Sequence, residues 1–100
     1  MDCKIYQASP EEHDEAVSLI SHLPIFLASS LIETVHTKNN QSLLHLTQKI
    51  ASTGFADTSR VGGGNNQLGL DLAINNQINI LNAINNFKSC LLYTSDAADE

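Results

Sequence analysis

Arg60 is the only arginine in a chain of 100 residues, and it stands directly before Val61 and three successive glycines. A guanidinium presents a fixed fork of donors that matches a carboxylate or a phosphate. Spacing alone leaves three readings open: a ligand-binding arginine, a surface arginine, or a structural pair with Asp57. Gly62-Gly63-Gly64 invites comparison with phosphate-binding loops, but it lacks both the G-x-G-x-x-G spacing after a strand and a G-K-[ST] ending. A turn that brings backbone close to a neighbouring element fits these glycines better. None of the four histidines, His13, His22, His36 and His45, falls in a metal-binding pattern such as H-E-x-x-H, and no metal is expected. Ser21-His22 precedes Leu23-Pro24, where a helix end would leave polar groups available. The two are not a catalytic pair by adjacency, because neighbours on a helix diverge by about 100°. Cys3 has neither a base nor a helix N-terminus beside it to activate the thiol.

The elements that must position these residues read as helices. Ser9 is an N-cap, Pro10 fits the first helical position, and Glu12 completes a capping box. Ala16, Val17, Ile20 and Leu23 follow at helical spacing. Pro24 predicts an interruption or kink around Ser21–Leu23. Ile25 to Val35 forms a second helix, apolar on most faces, of the kind usually buried against a partner surface. Lys38-Asn39-Asn40 is a polar connector, and a third helix runs from about Ser42 to Ala51. Gly54 to Asn65 reads as a long loop or irregular turn. A last helix is expected from about Asn66 to Lys88, with Ile74, Ile78, Leu81 and Ile84 on one face. Several of the chain's ten asparagines lie in that stretch, so tertiary packing must hold it. Lys4-Ile5-Tyr6 reads as a short strand.

The totals bound the class. Apolar residues make up 42% of the chain and the net charge is −6, which argues against a nucleic-acid surface. No uninterrupted apolar run reaches the ~20 residues of a bilayer span, and no secretory leader is visible, so neither membrane nor export is expected. Cys3 and Cys90 lack framework spacing and read as reduced thiols of a cytoplasmic protein. Residues 90–100, CLLYTSDAADE, match a one-frame translation of the transposon-end adapter used in sequencing libraries. They are set aside from the fold reading, together with the acids Asp96, Asp99 and Glu100.

Two ordered segments carry a family resemblance. His13-Asp14-x-Ala16-Val17-x-x-x-Ser21-His22-Leu23-Pro24 resembles the H-D-x-A-V-x-x-x-S-H-L-P segment of the prephenate/arogenate dehydrogenase family. Gly54-Phe55-x-Asp57-Thr58-Ser59-Arg60, with Ala51-Ser52 before it and Val61 to Asn65 after it, resembles that family's G-F-x-D-x-[TS]-R loop in its cyanobacterial form. Asn76-Gln77 is a third, weaker match. The resemblance implies an all-α fold, a piece of the dehydrogenase's C-terminal dimerisation domain. Residues 1–8 would be the end of a nucleotide-binding Rossmann domain, with Lys4–Tyr6 its last strand. Residues 9–89 would be the partial substrate-binding and dimerisation domain, and 90–100 the adapter-derived tail.

It further implies oxidative decarboxylation of arogenate to tyrosine by a homodimer, with NADP or NAD bound by the N-terminal domain. The catalytic histidine would lie in that domain, so no residue here is catalytic and the chain alone is inactive. Carried over by position, Arg60 would hold a substrate carboxylate and Asp57 would orient it or close the pocket. His13, Ser21 and His22 would line or support the site, and Gly54 would allow close approach. Ile25 departs from the second histidine of prephenate-using relatives, Gly69 from a tryptophan, and Ala56 from a basic residue. The first of these matches the arogenate-using pattern. A prephenate dehydrogenase fragment is the alternative within the family; outside it, the alternative is a non-catalytic small helical interaction module.

Overall fold

The computed structural model describes residues 3–37, 40–64 and 66–99, with side chains omitted for Asn66 and 97–99. The described residues form six α-helices: α1 (Pro10–Val17), α2 (Leu23–His36), α3 (Gln41–Ile50), α4 (Thr53–Ser59), α5 (Asn66–Asn75) and α6 (Gln77–Asp99). A π-helical turn (Ser18–His22) joins α1 to α2, and a 3-10 turn (Arg60–Gly63) follows α4. The all-α expectation holds. Lys38, Asn39 and Asn65, parts of the expected connector and loop, lie outside the described residues, as do Met1 and Glu100.

Residues 3–9 do not form the expected strand. Ile5 is 90% and Tyr6 82% exposed, and no neighbouring strand is present among the described residues to complete a hydrogen-bonded ladder. Helix α1 then begins as expected. The Ser9 hydroxyl accepts from the Glu12 amide at 3.1 Å, and the Glu12 carboxylate accepts from the Ser9 amide at 3.4 Å.

The irregularity expected around Ser21–Leu23 is present, as a widened turn at Ser18–His22 and not as a break at Pro24. The Pro24 nitrogen cannot donate, and the ring crowds the carbonyl four residues back. The chain responds by widening the preceding turn: the Leu23 amide donates to the Ser18 carbonyl, five residues back, and the helix resumes. The result is one rod, Pro10–His36, of 27 residues. By length and composition alone this rod is apolar enough to cross a bilayer, a measure that the core helix of a water-soluble protein also meets.

Residues 54–64 do not form a long loop. Ser52 is extended and precedes α4, where the Ala56 amide donates to the Ser52 carbonyl. The Thr58 and Ser59 hydroxyls donate to the Gly54 and Phe55 carbonyls at 2.7 and 2.6 Å. Polar residues that suggest a loop are thereby satisfied within helical turns. The expected last helix is likewise two helices, parted at Asn76.

Two junctions hold the rod in place. At the first, the π-turn meets α6, where Ser18, Ile80 and Ala83 are buried. Ser18, 1% exposed, donates to the Glu15 carbonyl at 2.6 Å and so needs no other partner for its proton. At the second, the 3-10 turn lies on α2 at Ala28. A Cβ on Gly62 would sit 2.5 Å from the Ala28 carbonyl carbon and the Ser29 nitrogen. The close approach expected of the glycine run therefore belongs to Gly62; Cβ atoms on Gly54 and Gly63 would meet nothing within 4 Å.

Gly62→Ala is expected to destabilise the chain by about 2 kcal/mol, since the added methyl runs into the α2 backbone at Ala28 and Ser29. Gly63→Ala should stay within ~0.5 kcal/mol. The two urea midpoints give the comparison, and equal midpoints would exclude the close junction.

Candidate functional site

Arg60 opens the 3-10 turn that Gly62 clamps to α2. Its side chain is exposed, and its guanidinium makes no hydrogen bond or ion pair with any described residue. Asp57 is one helical turn earlier, on α4, and also exposed; the Asp57–Arg60 pair, one of the alternatives open in the sequence, is not formed among the described residues. The fork of donors at residue 60 is open to a ligand.

The next residues of the turn, Val61 and Gly62, line a cleft of about 380 Å³. Its opposite walls are Ile25, Phe26 and Ser29 of α2 and Leu68 and Gly69 of α5. The two positions noted as departures, Ile25 and Gly69, thus face one space. Ile25 contributes an apolar side chain to the cleft and Gly69 none. A larger apolar groove of about 490 Å³ between α2, α3 and α4, lined by Val35, Leu44, Ile50 and Phe55, contains none of the candidate site residues.

The residues of the first motif separate. His13 is exposed, with Nδ1 3.2 Å from the Asp14 carboxylate. Ser21 is exposed, and its hydroxyl makes no hydrogen bond with a described residue. His22 is half-buried at the end of the π-turn and meets a residue that spacing alone did not assign. Asn76 Nδ2 donates to the Asp14 carbonyl at 2.8 Å and lies 3.3 Å from His22 Nδ1. Asn76 Oδ1 accepts from Asn79 Nδ2 at 2.9 Å. The signal for Asn76 was present but weak. An asparagine amid the Ile74, Ile78 and Leu81 repeat is a poor helix former whose amide competes with the backbone.

No described cluster of three or more His, Cys, Asp or Glu could hold a metal ion, and Cys3 and Cys90 are both exposed free thiols. The residues present do not fit a nicotinamide dinucleotide either. Gly62-Gly63-Gly64 ends a 3-10 turn packed on α2 instead of joining a strand to a helix.

A thinly cored helical chain with an unpaired arginine, a tethered histidine and large apolar side chains facing solvent has the character of a domain that works against further protein. The chain belongs to the family described as prephenate dehydrogenase, dimerization domain, which matches residues 9–95. It is 35% identical over 75 residues to the prephenate dehydrogenase of Bacillus subtilis (strain 168), covering 75% of this chain and 20% of that protein. It superposes on the crystal structure of Synechocystis arogenate dehydrogenase with a TM-score of 0.89 at 40% identity, over 96% of this chain and 34% of that one. The chain thus spans 20–34% of the length of these relatives.

Because no Asp57–Arg60 pair is formed, Asp57→Ala should change the urea-derived stability by no more than ~0.5 kcal/mol. A loss well above 1 kcal/mol would reveal a pair that the structure does not contain.

Proposed function

We propose that this chain is the substrate-binding and dimerisation portion of a cytoplasmic, NAD(P)-dependent arogenate dehydrogenase, and that it is inactive alone. The observation that carries the reading is the place of Arg60. Its guanidinium is free of protein partners, on a turn locked to α2, beside a cleft whose walls include Ile25 and Gly69. That arrangement suits a carboxylate held bidentately at the mouth of an apolar space. His22, from the other motif, would supply a second polar group; it is held by Asn76 and is not among the residues lining the cleft. The nicotinamide cofactor and the group that takes the substrate's hydroxyl proton would belong to a nucleotide-binding domain elsewhere in the full-length polypeptide.

Arogenate is favoured over prephenate by Ile25, which removes a polar contact from the cleft wall. The likeness to an arogenate dehydrogenase structure supports the same choice. The Bacillus subtilis relative keeps prephenate as the second reading. The exposed Leu19, Ile20, Ile74 and Ile78 would be covered in a homodimer. Residues 90–100 are proposed to be translated adapter. Leu91, Leu92 and Tyr93 all lie more than half exposed on the final turns of α6, which suits a segment without packing partners of its own.

Arg60→Ala in the full-length polypeptide is expected to raise KM for arogenate by ~100-fold, the loss of a charge-assisted, two-pronged contact. Turnover of both arogenate and prephenate should be followed. An unchanged KM would remove Arg60 from the substrate site, no turnover of either compound would favour a non-catalytic helical interaction module, and a higher kcat/KM on prephenate would favour the second reading.

A further inference from the structure

The Asn76 amide has two N–H donors and one carbonyl acceptor, and its contacts use all of them across three elements. A backbone carbonyl can only accept, so the atom 2.8 Å from the Asp14 carbonyl must be the amide nitrogen, and the amide's orientation is fixed. Asn79 Nδ2, 2.9 Å from Asn76 Oδ1, agrees with that assignment. The second N–H then faces His22 Nδ1 at 3.3 Å, and a hydrogen bond there requires a lone pair on that nitrogen. In the neutral ring the proton consequently resides on Nε2. Nε2 makes no hydrogen bond with any described residue. The bend between α5 and α6 delivers this amide without breaking the backbone ladder. The Asn76 amide still donates to the Leu72 carbonyl, and its carbonyl still accepts from Ile80, both at 3.0 Å.

We propose that Asn76 is a positioning residue: it holds His22 in the Nε2–H tautomer, so that the half-buried ring presents a single N–H donor to a carboxylate or carbonyl oxygen of the substrate. The substrate-facing role rests on the proposed function; the tautomer does not. The same amide fixes the ring's orientation by tying it to the Asp14 carbonyl, which belongs to the rod that bears His22.

The first test needs no substitution at Asn76. Long-range proton–nitrogen correlations of the 15N-labelled whole chain, under mildly alkaline conditions, report which imidazole nitrogen carries the proton. The His22 signals are assigned by their loss in His22→Gln. His22 should show a bare Nδ1 and a protonated Nε2. Asn76→Asp keeps the shape but removes both donors, and the proton is expected to move to Nδ1, facing the introduced carboxylate. A protonated Nδ1 in the unsubstituted chain, or an unmoved proton in Asn76→Asp, overturns the assignment. In the full-length polypeptide, Asn76→Ala should raise KM about 10-fold with kcat less affected; an unchanged KM overturns the substrate-facing role. If instead Arg60→Ala leaves KM unaltered while the proton moves as expected, the positioning stands and the substrate-site reading fails.

Discussion

One missing hydrogen governs this fold. Pro24 has no amide proton to offer, and its ring displaces the carbonyl that would have received it. A helix that stopped there would leave two short segments, each marginal in isolation. Widening one turn avoids that outcome and produces a single rod, Pro10–His36. The wide turn is also where α6 crosses, where Ser18 is buried, and where His22 is held by Asn76. The helix irregularity and the Asn76 contact fall in the same five residues.

The second constraint is closeness between backbones. Small residues meet at both junctions: Ser18 and Ala83 where the rod crosses α6, and Ala28 and Gly62 where the 3-10 turn lies on α2. Such contacts fix geometry but bury little apolar area, and hydrophobic stabilisation scales with area. Large apolar side chains such as Ile20, Ile74 and Ile78 remain mostly exposed. Helix α3, apolar on one side, borders a groove against α2 and α4 without filling it. Burial within the described residues therefore specifies the arrangement more strongly than it stabilises it. The remaining stabilisation falls to whatever covers the open faces.

Local rules made some of this legible in the sequence. The capping box at Ser9 and Glu12 is complete within four residues, and the structure reproduces it bond for bond. The two motifs around Ser21-His22 and Arg60 were recognisable as ordered strings, and the family match covers both. What escaped depended on geometry that spacing does not encode. A proline inside a helical pattern reads as a stop unless the turn before it can widen. Thr58 and Ser59 read as loop residues until their hydroxyls are seen bonded to carbonyls one turn back. Asp57 was an obvious partner for Arg60 in sequence, yet both side chains face outward unpaired. Asn76 lies 54 residues from the histidine it contacts, a separation no local pattern spans.

The π-turn also changes the phase of the rod. Moving from a four-residue to a five-residue hydrogen-bond step is equivalent to slipping one extra residue into the helix. Every side chain after it is rotated by about 100° relative to an unbroken α-helix. The face that α1 shows and the face that α2 shows are therefore not one continuous stripe. Successive parts of the rod can serve different neighbours: the π-turn meets α6, and α2 at Ala28 meets the 3-10 turn that carries Arg60. Removing a single residue from Ser18–His22 would keep the rod's length nearly the same, yet it would turn Ala28 away from Gly62. In this stretch a one-residue gap or insertion between relatives is a rotation of half the domain, and alignments that slide across it would compare residues on different sides of the helix.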